Sequence, residues 1–263
     1  MAFLKKLTPR KNETEARSIV EIEVTDPERQ IPDLIQWAST GEDIRMLVPS
    51  SMLRTKGAFG FHGGWNPMML PLRDDTETYR EFFKLFRPRN VSELYFLGER
   101  FDPDSFYPAE LPWLFWSKRE ALRVETESSA DLKPHKFFGP STPQKIDREV
   151  QRLQAVLESI RKQGYKPDKY GDIQGYFMRL DGEFRFLVCS GKHRVAALTH
   201  LGFESIRVQM RPLWPRVIEG NRVGDWPLVR SGGVSEDFAL AMMQRFFEFD
   251  GTQQRDRIFG SSS

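Results

Sequence analysis

One cysteine, Cys189, stands in a chain of 263 residues. A single thiol excludes an internal disulfide and any multi-cysteine zinc site, and four scattered histidines do not make up the deficit, so no metal site is expected. The chain also lacks a continuous apolar run of the roughly 18 residues at which a segment reads as membrane-spanning, so no membrane partner is expected. Neither charge sign dominates. The 39 basic and 37 acidic residues leave a formal charge of +2, and they interleave, as in YREFFKLFRPRN and SKREALRVETE. A protein that tracks a nucleic-acid backbone usually concentrates its basic residues, so charge gives nucleic acid no support. These absences lead us to expect a cytoplasmic protein.

Phenylalanine, by contrast, is abundant. The 21 Phe against 6 Tyr point to large buried aromatic clusters that contribute bulk rather than chemistry. With 39% hydrophobic and 29% charged residues, the composition is that of a globular chain rather than a disordered one. No internal repeat or long low-complexity segment interrupts it. Texture divides it into an N-terminal arm at 1–17, an aromatic and proline-rich region at 18–135, a domain at 136–250 and a flexible tail at 251–263. The arm, MAFLKKLTPRKNETEAR, has only Ala-Phe-Leu before its lysines and is expected to be solvated and mobile rather than a signal peptide.

Periodicity gives α+β elements: a mixed sheet with helices. SIVEIEV (Ser18 to Val24) alternates like a half-buried strand. IPDLIQWAST and DDTETYREFFKLF read as short helices, the second with Tyr79, Phe82, Phe83 and Phe86 on one stripe. GPSTPQKIDREVQRLQAVLESIRKQGY predicts a longer one. Ser141 or Thr142 can cap it, Pro143 suits its first turn, and Gln144 is spaced for a capping box with Ser141. Ile146, Val150, Leu153, Leu157 and Ile160 form its apolar stripe, Gly164 its stop, while Glu149 and Glu158 are expected to be solvated. DIQGYFMRL and EFRFLVCS flank Asp181-Gly182, a strong hairpin signal. A helix from Lys192 or His193 to Leu201 follows, then a strand in ESIRVQM. Ser235 caps a last amphipathic helix carrying Phe238, Met242, Phe246 and Phe249.

The chemistry gathers where the strand ending at Cys189 meets that helix. A helix N-terminus presents unpaired amides and about half a positive charge. Gly191 allows an anion to approach the backbone, Ser190 offers a hydroxyl, and Lys192, His193 and Arg194 add donors and charge. Such a turn suits a phosphate, sulfate or carboxylate. The competing reading is structural, with Arg194 in an ion pair elsewhere. The turn is not a Walker A loop, because Phe186 and His193 occupy the places where that motif needs Gly and Ser or Thr. His62, beside two glycines in FHGGWNP, could line a ligand. Asp102 and Asp104 in FDPDS read as turn residues, and Cys189 as core rather than nucleophile.

Residues about 136–212 resemble the ParB/sulfiredoxin-like superfamily. Ser159-Ile160 and Gly164 match its first element, and Gly191-Lys192-His193-Arg194 with Ala196-Ala197 its second. Gln174 falls where many members carry Gln-Pro, although Gly175 replaces the proline here. The resemblance implies that Ser190, Gly191, Lys192, His193 and Arg194 bind the phosphates of ATP, ADP or CTP, with magnesium carried on the nucleotide. His193 would be the catalytic residue and Gln174 would line the ligand; His62, from the residues before 136 on which the resemblance is silent, stays the candidate its own loop suggests. The resemblance implies such a phosphate site and not a particular reaction; the favoured expectation is a phosphotransferase (kinase) acting on a small-molecule acceptor, or a nucleotide hydrolase. The alternatives are a nucleotide-gated binding module and a ParB-like DNA-binding or nuclease protein. Lys192 stands where sulfiredoxins carry their cysteine, and Ser190 where the serine kinases carry an aspartate. Neither chemistry transfers directly.

Overall fold

The computed structural model describes residues 19–23, 43–98, 111–114, 138–210 and 215–260. Seven strands form one mixed sheet: β1 (Ile19–Glu23), β2 (Asp43–Pro49), β3 (Leu53–Arg54), β4 (Ile173–Leu180), β5 (Glu183–Ser190), β6 (Ser205–Met210) and β7 (Val217–Glu219). Six lie in the order β1-β2-β6-β4-β5-β3. β5 runs antiparallel along one edge of β4, so the other edge is shared in succession, by β6 at residues 173–175 and by β7 at 177–179, both parallel. The helices are α1 (Thr76–Leu85), α2 (Val91–Leu94), α3 (Pro143–Gln163), α4 (Pro167–Tyr170), α5 (Lys192–His200), α6 (Pro227–Arg230), α7 (Glu236–Glu248) and α8 (Thr252–Phe259). The class is the expected α+β.

The hairpin forms where Asp181-Gly182 places it. Both residues take positive φ, +49° and +84°, as a tight two-residue turn with the right twist requires. A bulge between Gln174 and Gly175 shifts the β4–β5 register near the far end of the hairpin. Gly175 is there because nothing larger fits: a Cβ would stand 2.0 Å from the Leu187 carbonyl oxygen. β1 covers most of the alternating SIVEIEV stretch.

α3 begins with Thr142 as N-cap, its side chain accepting from the Lys145 amide, and with Pro143 in the first turn. Since Thr142 and not Ser141 is the cap, Gln144 is out of register for the expected capping box. Gly164, at φ +75°, ends the helix, and the five stripe residues are all buried. α1 is capped by Asp75 and buries Tyr79, Phe82 and Phe83. Ser235 caps α7 as expected, but this helix is not the last. α8 occupies most of the stretch expected as a flexible tail, burying Gln254 and packing Phe259 edge-on against Trp65 at 5.8 Å. The reason is apolar: Phe259 completes the aromatic cluster that Trp65 begins.

Alternate residues of β4 and β5 enter two cores. Tyr176, Met178 and Leu187 join the aromatic one with Trp113, Phe82, Phe138 and Phe246. Phe177, Phe184, Phe186 and Val188 join the other, with Leu153, Leu157, Val195 and Leu198 of α3 and α5. Rings in the first core meet mostly edge to face, as in Trp113–Trp226 at 5.0 Å and Tyr79–Phe83 at 5.1 Å. The buried Trp113 indole donates to the Tyr176 hydroxyl at 2.8 Å. Strands from both sides of the textural boundary at 135/136 share this sheet, so that boundary separates no sheet. Among the described residues no helix is long and apolar enough to cross a membrane. The expected arm at 1–17, the IPDLIQWAST helix, and Asp102 and Asp104 lie outside the described residues.

The close approach at Gly175 yields a stability prediction. Gly175→Ala must push β5 away from β4, and overpacking of this kind costs about 1–3 kcal/mol. The urea midpoint should fall accordingly. An unchanged midpoint would mean that the two strands do not approach so closely.

Candidate functional site

β5 ends at Ser190, and Gly191 turns the chain into α5. Its φ of +88° is a left-handed conformation that glycine adopts at little cost, and a Cβ there would stand 2.9 Å from Ile173 and from the Arg194 guanidinium. No side chain caps the resulting helix N-terminus. The Arg194 and Val195 amides bond back to the Gly191 carbonyl, at 2.9 and 3.1 Å. Val195 to Leu198 are buried and dock α5 against α3 and the sheet. The amide-rich end of α5 is therefore held next to the middle of α3.

A cavity of about 650 Å³ opens there. Ser190, Gly191, Lys192, His193 and Arg194, the expected site residues, all line it. Glu149, Arg152, Val156, Ser159 and Ile160 contribute from α3, and Gly164, Tyr165, Lys166 and Tyr170 from the segment that follows. Both sequence elements of the resemblance, Ser159-Ile160 with Gly164 and the Gly191–Arg194 turn, thus face one hollow. Its charged lining comprises the four cations Arg152, Lys166, Lys192 and Arg194 and one carboxylate, Glu149, besides His193. The size is within the roughly 300–1,000 Å³ of small-molecule sites.

Glu149 corrects an expectation. Instead of being solvated, its Oε2 lies 2.7 Å from His193 Nε2, with both side chains largely shielded from water at 18% and 12% exposure. The hydrogen bond from His193, and then the positive charges nearby, Lys192 and Arg152 among them, hold the Glu149 carboxyl down to about 2 against the desolvation that opposes them. At neutral pH the carboxylate is ionised and must accept, so Nε2 carries the bridging proton. The imidazole is oriented, and Nδ1 is the nitrogen left to exchange a proton with a ligand. Glu158, by contrast, pairs with Arg161 and Lys162 along the exposed side of α3.

Arg194 lines the cavity and also makes contacts that the sequence did not predict. Its Nη1 donates to the Tyr170 carbonyl at 3.3 Å and to the Gly171 carbonyl, and its Nη2 to the Asp172 carbonyl at 3.3 Å. The guanidinium is spent on main-chain oxygens at the end of α4 rather than on a carboxylate. It keeps its positive charge at the cavity, while its fork braces the wall. The ion pair imagined for Arg194 belongs instead to Arg45 and Arg207. Their Nε atoms hold the buried Asp172 carboxylate at 2.9 and 3.1 Å, and their terminal nitrogens hold Asp168 at 2.9 and 3.1 Å.

The remaining expectations fall elsewhere. Gln174 pairs in register with Ser190 but bonds Gln209 at 3.4 Å and does not line the cavity. His62 is exposed, with Nδ1 3.4 Å from the Ser50 hydroxyl, and does not line it either. Cys189 is partly core, packed against the aromatic cluster with Sγ 3.8 Å from the Leu187 carbonyl, yet it also borders the cavity. Among the described residues no three His, Cys, Asp or Glu side chains are grouped to hold a metal ion. The sequence reading missed Glu149, Arg152, Tyr165, Lys166 and Tyr170. The signal for the first two was a second stripe on α3, 149, 152, 156 and 159, flanking the apolar one. No family model matches the chain, and no curated protein or solved structure matches it.

The Glu149–His193 pair makes stability depend on pH in a stated direction. Because the folded carboxyl titrates near 2, below its ordinary value of 4.5, its contribution is complete above about pH 4.5 and is lost as pH falls toward 2. Glu149→Gln removes that contribution. The stability gap between wild type and variant, from urea midpoints, should be clear at pH 6 and shrink by pH 3. An equal gap at both would show that Glu149 acts only by packing.

Proposed function

We propose that the cavity binds the phosphates of a nucleotide and that the protein is a small-molecule phosphotransferase or a nucleotide hydrolase. One observation carries this reading: four cations and one already-paired carboxylate surround a ligand-sized hollow at an uncapped helix N-terminus. Amides, dipole and cations there all favour the same charge. The helix dipole contributes only about 0.3–1 kcal/mol, so Lys192, Arg152 and Lys166 supply most of the affinity. The resemblance of the Gly191–Arg194 turn to phosphate loops of the ParB/sulfiredoxin-like superfamily supports the same assignment.

In this reading Lys192, Arg152 and Lys166 neutralise phosphate oxygens, the main demand of phosphoryl transfer on a protein. Ser190 and Gly191 add close donors. His193, held by Glu149 through Nε2, takes the proton of an attacking hydroxyl or water at Nδ1 as that oxygen bonds to the terminal phosphorus and the bridging P–O bond breaks, the electron pair and negative charge leaving on the shortened nucleotide beside the cations. Magnesium would fit poorly as a resident ion, because the single lining carboxylate is taken by His193; it fits only as an ion carried on the phosphates. That same shortage favours a second reading, a nucleotide-gated binding module without turnover. A cytoplasmic setting, where thiols are kept reduced, would suit a chain with one cysteine, Cys189.

The test is a melting curve with ATP, ADP or CTP and magnesium, together with a phosphate-release assay. Stabilisation at millimolar nucleotide is expected, and Lys192→Met should weaken binding by about tenfold or more, the effect of losing a charged hydrogen bond of about 1.5–3 kcal/mol. Binding without release or transfer would select the module. No shift with any of the three nucleotides would refute both readings.

A further inference from the structure

The wall of the cavity opposite in sequence to the phosphate turn carries an unusual side chain. Among the described residues only Leu85, Phe203 and Tyr170 are large apolar groups with heavy exposure, and of these only Tyr170, 52% exposed, lines the cavity. Tyr165 lines it too, its ring partly buried and its hydroxyl 3.5 Å from the Arg207 carbonyl. The Lys169 ammonium stands 5.2 Å from the Tyr170 ring centroid on one face. A ring exposed to this extent in the cavity lining offers surface on which a planar ligand could stack.

The segment bearing these rings is braced from three directions. Arg194 bonds the carbonyls of residues 170–172, while Arg45 and Arg207 grip Asp168 and Asp172. An aromatic rim held this firmly loses little freedom when a ligand settles on it, and preorganisation of that kind raises affinity. An exposed tyrosine at the end of a four-residue helix would need no such scaffold without a ligand to meet.

We infer that Tyr170, with Tyr165 beside it, is the nucleobase platform of this cavity, and that Arg194 is a positioning residue that holds the platform rather than a phosphate ligand. The inference rests on the nucleotide reading above and adds where the base goes. Phosphates lie at Lys192 and the end of α5, and the base stacks on Tyr170. Base–aromatic stacking contributes about 1–3 kcal/mol per base, or roughly 5- to 150-fold in affinity.

Calorimetric titration of the full chain with ATP and with inorganic tripolyphosphate separates the two halves of the site. Wild type should bind ATP at least about fivefold more tightly than tripolyphosphate. Tyr170→Ala should erase that margin and leave tripolyphosphate affinity within about twofold, while Tyr170→Phe keeps it. Arg194→Ala should weaken ATP more than tripolyphosphate, with Arg194→Lys as the milder variant should the alanine protein fail to fold. If tripolyphosphate binds as well as ATP and Tyr170→Ala changes neither, the platform is refuted and the phosphate site stands. Equal weakening of both ligands by the Arg194 variants would return Arg194 to the phosphates. If neither ligand binds wild type, the nucleotide reading falls and the platform with it.

Discussion

The left-handed turn at Gly191 is the constraint on which the site depends. Only because the chain reverses there does β5 hand over directly to α5, and only because α5 buries Val195 to Leu198 does its N-terminus come to rest against α3. The Lys192 ammonium and the His193 imidazole are then not free to drift. Lys192 sits at the positive end of a helix, where cations are disfavoured, and something must offset the accumulated field. Glu149 offsets part of it from within the protein. The rest is what a bound anion would neutralise.

Arg194 ties two parts of the cavity wall together. Its backbone starts the helix while its side chain reaches across to the carbonyls ending α4. The Gly191 turn and the tyrosine-bearing wall are therefore mechanically joined by one side chain. The Arg45–Asp168–Asp172–Arg207 network extends the link into β2 and β6, tying the cavity wall to the sheet. A buried carboxylate such as Asp172 is tolerated because two guanidinium groups share it.

Much of this was legible in the sequence, and for local reasons. Asp181-Gly182 between alternating runs, the stripe from Ile146 to Ile160 ended by Gly164, and the Gly191–Arg194 turn are each written within a few residues. Their structural reading depends on turn chemistry and helical period alone. The partnership of Glu149 with His193 spans 44 residues and exists only once α3 has packed on α5. Read locally, Glu149 was one more acid on an amphipathic helix. The carbonyl contacts of Arg194 went unread for the same reason, since main-chain acceptors carry no sequence signature. α8 went unseen because TQQRDRIF has little apolar content of its own, and its packing comes from Trp65, nearly two hundred residues away.

The central claim is that the Gly191 turn and α3 enclose a site for a phosphate-bearing nucleotide. The most direct measurement is the amide spectrum of isotopically labelled protein as ATP is added. The account predicts saturable shifts centred on Gly191, Lys192 and His193, with Arg152, Ser159 and Tyr170 moving in step. Shifts confined to other parts of the surface, or none at millimolar ATP, would contradict it.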